Sequence, residues 1–270
     1  MPRIVNIGSV NIDHVYRVPH FVQPGETLAG ENYGRFPGGK SFNQSIALAR
    51  AGARVSHAGC IGPDGLWLRE MLQAEGVDTE YLSVVDAPTG HAFIQVAPDG
   101  QNAILINGAA NRAMTPKRGA AILDHSSPDD LLLMQNEISA MPDILTLAGR
   151  QGRSIVLNPA PMSDAVLTYP LEHIRLLIVN EIEAAQFVGE APPGRLVERL
   201  RKRFPQAHVL LTRGARGVMA ATEHEIVTIP GFSVQAVDTT AAGDTFIGYF
   251  LAARTGGESL PGSLRRACAP

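Results

Sequence analysis

Leu176-Leu177-Ile178-Val179-Asn180-Glu181-Ile182-Glu183 is the stretch that decides the fold. Four continuous apolar residues suit a strand covered on both faces, and the amide and carboxylates that follow suit the start of a helix. The pattern recurs on either side. Asp130-Leu131-Leu132-Leu133-Met134 runs into Gln135, Asn136 and Glu137, Ser154-Ile155-Val156-Leu157 into Asn158, and His208-Val209-Leu210-Leu211 into Thr212. Helix-like stretches separate these runs, the rhythm of βα units stacked into a mostly parallel sheet. The expected fold is α/β, a doubly wound, mostly parallel sheet between two helical layers. Ligands of such sheets bind beyond the carboxyl ends of the strands, so the polar residues closing each run are the first candidates for a site.

Two segments depart from that rhythm. Residues 13–38 carry Pro19, Pro24, Gly25, Gly30, Gly34 and Pro37 among short β-prone pieces, and His91–Val96 and Gln101–Ile106 flank the turn signal Pro98-Asp99-Gly100. They predict one small β-sheet lid in two parts, residues 13–38 and 90–108, inserted into a main domain made of residues 1–12, 39–89 and 109–270. Thr115-Pro116 reads as a helix cap with proline at the first helical position, and Gly52 and Gly76 as helix stops. Trp67 and Met71, four apart, are expected in the core.

Composition narrows the function classes. The chain has 270 residues, 45% hydrophobic and 18% charged, which excludes disorder, collagen and coiled coil. Its 23 basic and 26 acidic side chains leave a formal charge of -3, with no basic surplus for nucleic acid or an anionic membrane surface. No apolar run reaches the ~18 residues of a membrane span. A small-molecule partner is expected. Cys60 and Cys268 make no disulfide framework and suit a reducing cytosol; with no targeting signal, a cytoplasmic location is expected. The histidines show no metal-ligand spacing, and neither G-x-S-x-G nor an early G-x-G-x-x-G occurs.

Gly34-Arg35-Phe36-Pro37-Gly38-Gly39-Lys40-Ser41 matches the phosphate-cradling pattern G-x-x-x-x-G-K-[ST]. That motif requires a buried parallel strand before it, whereas Ala29-Gly30-Glu31-Asn32-Tyr33 is polar and glycine-broken. What remains is a glycine pair and Lys40 at a helix start, with Asn43 one turn in, suited to a polyhydroxylated ligand; a plain loop-to-helix entry accounts for it equally. Val237-Asp238-Thr239-Thr240-Ala241-Ala242-Gly243-Asp244 places small residues at the start of an apolar helix, where backbone N–H groups and the helix dipole attract phosphate. Asp244 there could take a proton from an attacking hydroxyl, or merely favour the dipole. Asn180 and Glu183 could hold magnesium directly or through water, and helix capping explains the pair as well. Thr212-Arg213-Gly214-Ala215-Arg216-Gly217 would let backbone pass close to a flat or charged ligand, or form a tight turn into a strand at Val218–Ala221.

Together, Gly8-Ser9-Val10-Asn11-Ile12-Asp13, Gly38-Gly39-Lys40 with Asn43, Asn180 to Glu183, and Asp238 to Asp244 resemble, in order and spacing, the PfkB or ribokinase-like family of carbohydrate kinases. The resemblance runs from Ile4 to about Ala267. It implies an ATP-dependent kinase acting on the primary hydroxyl of a pentose, D-ribose foremost, with fructose, 2-keto-3-deoxygluconate and nucleosides as the family's other acceptors. It assigns sugar contacts to Asn11, Asp13, Gly39, Lys40, Asn43, Glu137 and Asp244. It makes Asp244 the base, Ala241, Ala242 and Gly243 an anion hole, and Asn180, Thr212, Gly214 and Gly217 nucleotide contacts. Glu183 would be linked to Mg2+, and Asp238 and Thr240 to an activating K+. The lid would also form a homodimer interface. Two departures are visible. Ser41 and Phe42 alter the family's usual Gly-Gly-Lys-Gly-x-Asn, and the family continues past the point matching Pro270 with a helix lining the adenine pocket and a loop completing the potassium site. From the second, weakened nucleotide binding and low or potassium-insensitive turnover are expected, with a sugar-binding homologue without catalysis as the alternative.

Overall fold

The computed structural model describes residues 2–234 and 239–269. The chain opens with β1 (Ile4–Ile7), β2 (Asn11–Arg17), β3 (Asn32–Gly38), α1 (Lys40–Arg50), β4 (Val55–Ile61), α2 (Leu66–Ala74) and β5 (Leu82–Val84). Next come β6 (Gly90–Val96), β7 (Asn102–Asn107), α3 (Pro116–His125), β8 (Leu131–Gln135), α4 (Met141–Arg150), β9 (Ser154–Asn158) and β10 (Leu176–Asn180). The rest is α5 (Glu181–Val188), α6 (Pro193–Arg203), β11 (His208–Thr212), β12 (Val218–Ala221), β13 (Ile226–Ile229), α7 (Ala242–Thr255) and α8 (Leu260–Cys268).

Nine strands form the central sheet in the order β13-β12-β11-β10-β9-β8-β1-β4-β5. It is parallel from β11 to β5, and β12 and β13 add an antiparallel edge. Alternation along each strand explains why the runs are apolar throughout. Val5, Leu132, Leu177 and Val209 join one core beneath α3, α4, α5 and α6, while their neighbours Ile4, Leu133, Ile178 and Leu210 join another beneath α1, α2, α7 and α8. Both faces are therefore dry, giving the three-layer arrangement expected. Met71 departs from expectation: it is 38% exposed. Trp67 is half-buried against the second core, with the Arg35 guanidinium 5.1 Å from its ring centre. A spacing of four places them on one stripe, and that stripe lies at the rim of α2.

β3, β2, β6 and β7 form a separate four-stranded sheet, with β2 and β6 parallel and the two outer pairs antiparallel. The turn between β6 and β7 centres on Asp99 and Gly100, where Gly100 takes a positive φ of 83°. The helix signals are realised as well: the Thr115 side chain accepts from the Arg118 amide at 3.2 Å. The strand before Gly39-Lys40 is β3, an edge strand of the small sheet, so the phosphate-cradle pattern lacks the buried parallel strand it requires.

One packing detail sets up the site. Gly248 lies inside α7, where glycine costs about 1 kcal/mol relative to alanine. A Cβ at Gly248 would stand 2.4 Å from that of Ala47 on α1. Its absence brings α1 and α7 into close contact, one turn below Asp244.

Candidate active site

The winding of the sheet reverses beside β1: the chain proceeds from β1 to β4 and β5 on one side, and from β8 onward to the other. A crevice at the carboxyl ends of β1 and β8 is the expected ligand position. A cavity of about 320 Å3 lies there, lined by Asn11, Ile106, Asn111, Asn136 and Glu137 among others.

At this end the side chains are held by one another. Asn11 Oδ1 accepts from Asn111 Nδ2 at 2.8 Å, and Asn111 is itself fixed by the Val10 amide, so Asn11 presents its own NH2 to the cavity. Asp13 lies on β2 against Gly38, where a Cβ would fall 2.3 Å from Asp13 Oδ2; only glycine leaves room for the carboxylate. Burial pushes the Asp13 carboxyl up to about 6, and the nearby charge of Glu137 adds to it. Gly39 caps α1 with a φ of 93° and passes against the Ser9 carbonyl. α1 lacks a local side-chain cap. Glu137 supplies one across space: its Oε2 accepts from the Lys40 amide at 3.0 Å and from the Ser9 hydroxyl.

Asp244, in the first turn of α7, is 9% exposed. Its Oδ1 accepts from Gln44 Nε2 at 2.8 Å and its Oδ2 from Asn43 Nδ2 at a longer 3.4 Å. Burial raises its pKa; Lys40, Gln44 and Asn43 oppose that, and Glu137 reinforces it. Lys40 and Glu137 thus bear on the carboxyl from α1 and from the end of β8. Ala241 enters α7 in the left-handed conformation with a φ of 57°. The Ala242 amide is committed to the turn, donating to Thr239 at 3.2 Å, and the Gly243 amide follows in the first helical turn, where no intrahelical acceptor exists. Thr240 lies in that turn, and Asp238 lies outside the described residues.

The other end of the crevice is built from chain turns. Asn180 and Thr212 pair across β10 and β11. Asn180 and Glu183 form a reciprocal capping box at 2.8 and 2.9 Å, so the bland account of that motif is realised. Burial raises the Glu183 pKa; the Asn180 amide and Lys40 counter it, and Asp244 adds to it. This electrostatic reach ties Glu183 to the same crevice. Gly214 and Gly217 form the tight turn into β12, closed by an Arg213 to Gly217 hydrogen bond of 2.8 Å. Among the described residues no cluster of three His, Cys, Asp or Glu side chains is placed to hold a metal ion.

Further residues complete the site: Gln135 and Asn158, expected among the strand-end candidates, and Ser9, Gln44 and Asn6, which the sequence did not single out. Ser9 anchors Glu137, and Gln44, Gln135, Asn6 and Asn158 form a buried amide network under Asp244. The available signal was a polar residue on an otherwise buried helix face: Gln44 shares α1 with buried Phe42, Ala47 and Leu48.

Comparisons with known proteins bear on the family and the fold. The model of the pfkB family of carbohydrate kinases matches residues 1–269. A ribokinase of Haemophilus influenzae is 38% identical over 96% of this chain and 87% of its own length. The crystal structure of ribokinase from Cryptococcus neoformans in complex with ADP superposes with a TM-score of 0.85 at 34% identity, covering 99% of this chain and 92% of that one. The structure of Arabidopsis thaliana ribokinase complexed with ribose and ATP gives a TM-score of 0.85 at 27% identity, covering 99% and 90%. With a doubly wound sheet, a small sheet beside its switch point and an aspartate at the start of α7, the chain belongs to the pfkB family of carbohydrate kinases.

Proposed function

We propose that the chain is an ATP-dependent kinase that phosphorylates the primary hydroxyl of D-ribose to give ribose 5-phosphate. One observation carries this: a buried carboxylate, Asp244, lies at the N-terminus of α7 and is held by Gln44 and Asn43 of α1, the helix that Glu137 caps from the acceptor cavity. Asn11, Asp13, Gly39, Lys40, Asn43 and Glu137 hold the sugar hydroxyls. Since Glu137 Oε2 is spent on capping α1, its sugar contact falls to Oε1. Asp244 takes the proton of the attacking hydroxyl, the sugar oxygen bonds to the γ-phosphorus, and the bond to the β-γ bridging oxygen breaks, releasing ADP. Ala241, Ala242 and Gly243 form the anion hole, with Gly243 the amide best placed to donate. ATP runs along the carboxyl ends of β10 and β11, over Asn180, Thr212, Gly214 and Gly217.

Mg2+ suits Glu183 through water. The residue offers one carboxylate with Oε2 engaged by the Asn180 amide, and magnesium bound mainly by phosphates and water needs no more. When bound, the ion neutralises charge on the β and γ oxygens. Asp238 and Thr240 are the proposed K+ contacts.

The small sheet acts as a lid, residues 13–38 and 90–108. Cross-strand register puts Phe36, Ala92 and Ile106 on the face that carries Asp13, and Phe36 and Ile106 are exposed. An apolar face over the acceptor supports closure that excludes water, and pairing with the lid of a second subunit. No helix among the described residues is long and apolar enough to cross a membrane, and a cytoplasmic enzyme of small substrates is the proposed setting. A coupled ADP-release assay with ribose, fructose, 2-keto-3-deoxygluconate and nucleosides tests the assignment. Ribose should give the highest kcat/KM; a better acceptor, or ribose binding without ADP release, overturns it.

A further inference from the structure

Beneath Asp244 lies a chain of side-chain amides whose orientations are all forced. Asn6, Gln44 and Gln135 are wholly buried, and Asn158 is 7% exposed. Asn6 Nδ2 donates to the Ser41 carbonyl at 2.8 Å and to Ser45 Oγ at 2.9 Å. A carbonyl can only accept, so the Asn6 oxygen must face the other way, where Gln135 Nε2 donates to it at 2.9 Å. The second hydrogen of Gln135 Nε2 goes to Gln44 Oε1. Independently, Asn158 Nδ2 donates to the Ile178 carbonyl at 3.0 Å, which turns its Oδ1 toward Gln44 Nε2 at 3.3 Å. Two backbone carbonyls on different elements therefore fix the same outcome: Gln44 shows Asp244 an N–H and never an oxygen.

We infer that Gln44 is a positioning residue for phosphoryl transfer, a pre-oriented donor that locks Asp244 Oδ1 and leaves Oδ2, which has only the longer 3.4 Å contact with Asn43, to face the acceptor hydroxyl. The inference rests on the reading of Asp244 as the base. A carboxylate free to rotate would share its two oxygens between the α7 amides and the substrate, whereas one held through Oδ1 spends no reorganisation at the moment of reaction. The same N–H favours the charged carboxylate against burial. The charged groups that bear on Asp244 are Lys40 from α1, Glu137 after β8 and Glu183 from α5, and none of them replaces that donor.

The pH profile of kcat tests this. Gln44→Leu removes the donor, so the acid limb should move up by about one pH unit, a tenfold loss of kcat below it, with ribose KM unchanged. A purely structural role would lower activity equally at all pH values, and an unmoved limb overturns the inference. Gln44→Glu, nearly the same shape, should move the limb further, because a second carboxylate then faces Asp244. Should either variant fail to fold, the unmodified protein answers by NMR. The Gln44 side-chain amide resonance should follow a titration that vanishes in Asp244→Asn, and a resonance indifferent to pH overturns the inference. Asp244→Asn separates the two ideas: retained turnover defeats the base assignment itself, while lost turnover beside an unmoved Gln44→Leu limb defeats only the role of Gln44.

Discussion

The two ends of the crevice are built by different means. At the acceptor end, Asp13, Asn11, Glu137 and Asp244 are half-buried or buried; groups from distant parts of the sequence hydrogen-bond Asn11, Glu137 and Asp244, and Asp13 packs against Gly38. At the far end, Asn180 is exposed, and Glu183, Gly214 and Gly217 are set by local devices, a capping box and a tight turn. Low dielectric makes the first arrangement strong and costly, because each buried carboxyl must be satisfied or its pKa rises. The second is inexpensive and leaves backbone open to a ligand. On the proposed assignment, the difference teaches that selectivity for the hydroxylated partner would reside in a preformed side-chain cage, while the nucleotide side would offer a scaffold of main chain.

The largest expected effect breaks the acceptor end at its reacting group. Asp244→Asn should cut turnover by about 10³-fold, within the range for loss of a general base, while ribose affinity by calorimetry persists. Retained turnover would leave the buried cage without a chemical purpose. Asp13→Ala comes next: loss of a charged hydrogen-bond partner should raise ribose KM by about 10- to 100-fold with kcat largely kept. In the unmodified enzyme, ribose KM should fall as pH rises through about 6, where the Asp13 carboxyl ionises. A KM flat across that range would place the sugar elsewhere.

The same carboxyl yields a stability test of opposite sign. Its folded pKa, about 6, lies above the ordinary 3.8, so the folded state binds its proton more tightly than the unfolded chain does. Its contribution to stability therefore declines as pH rises from near 4 to near 6 and is fully unfavourable above. Discounted for partial solvation, Asp13→Asn should stabilise the protein by up to about 2 kcal/mol at pH 8, with the gain closing as pH falls through that window. Thermal melts of both forms across pH check it, and a gain independent of pH would deny the charge penalty.

The smallest effect falls at the nucleotide end. Glu183→Gln keeps a capping-box residue and removes the charge, so melting should be nearly unchanged, within about 0.5 kcal/mol, while the magnesium concentration for half-maximal rate rises. An unchanged magnesium requirement would reduce Glu183 to its cap and sharpen the contrast between the two ends.

The legibility of the molecule followed this contrast. Local devices were visible in the sequence because neighbouring residues build them: the apolar runs of β8 to β11, the Thr115 cap, the turn at Asp99-Gly100, and the capping account of Asn180 and Glu183. Met71 was misplaced because periodicity gives a stripe and not the depth at which the helix packs; it lies at the rim, 38% exposed. Gln44 went unread because its partners, Gln135, Asn158 and Asp244, are up to 200 residues away; its place among the buried residues of α1 was the one local sign, and it does not say what the amide meets.

The sequence by itself determined the layered α/β fold, since continuous apolar strands between amphipathic helices can be buried only with helices on both faces of a sheet. It also carried the candidate residues, in an order that resembles one family of carbohydrate kinases. Only the tertiary structure decided which of them meet. The reversal of winding beside β1 brings the ends of β1 and β8 together, and the missing side chain at Gly248 lets α7 approach α1. A glutamine is thereby set against an aspartate, and the orientation of that contact is fixed by two backbone carbonyls that no local pattern could connect.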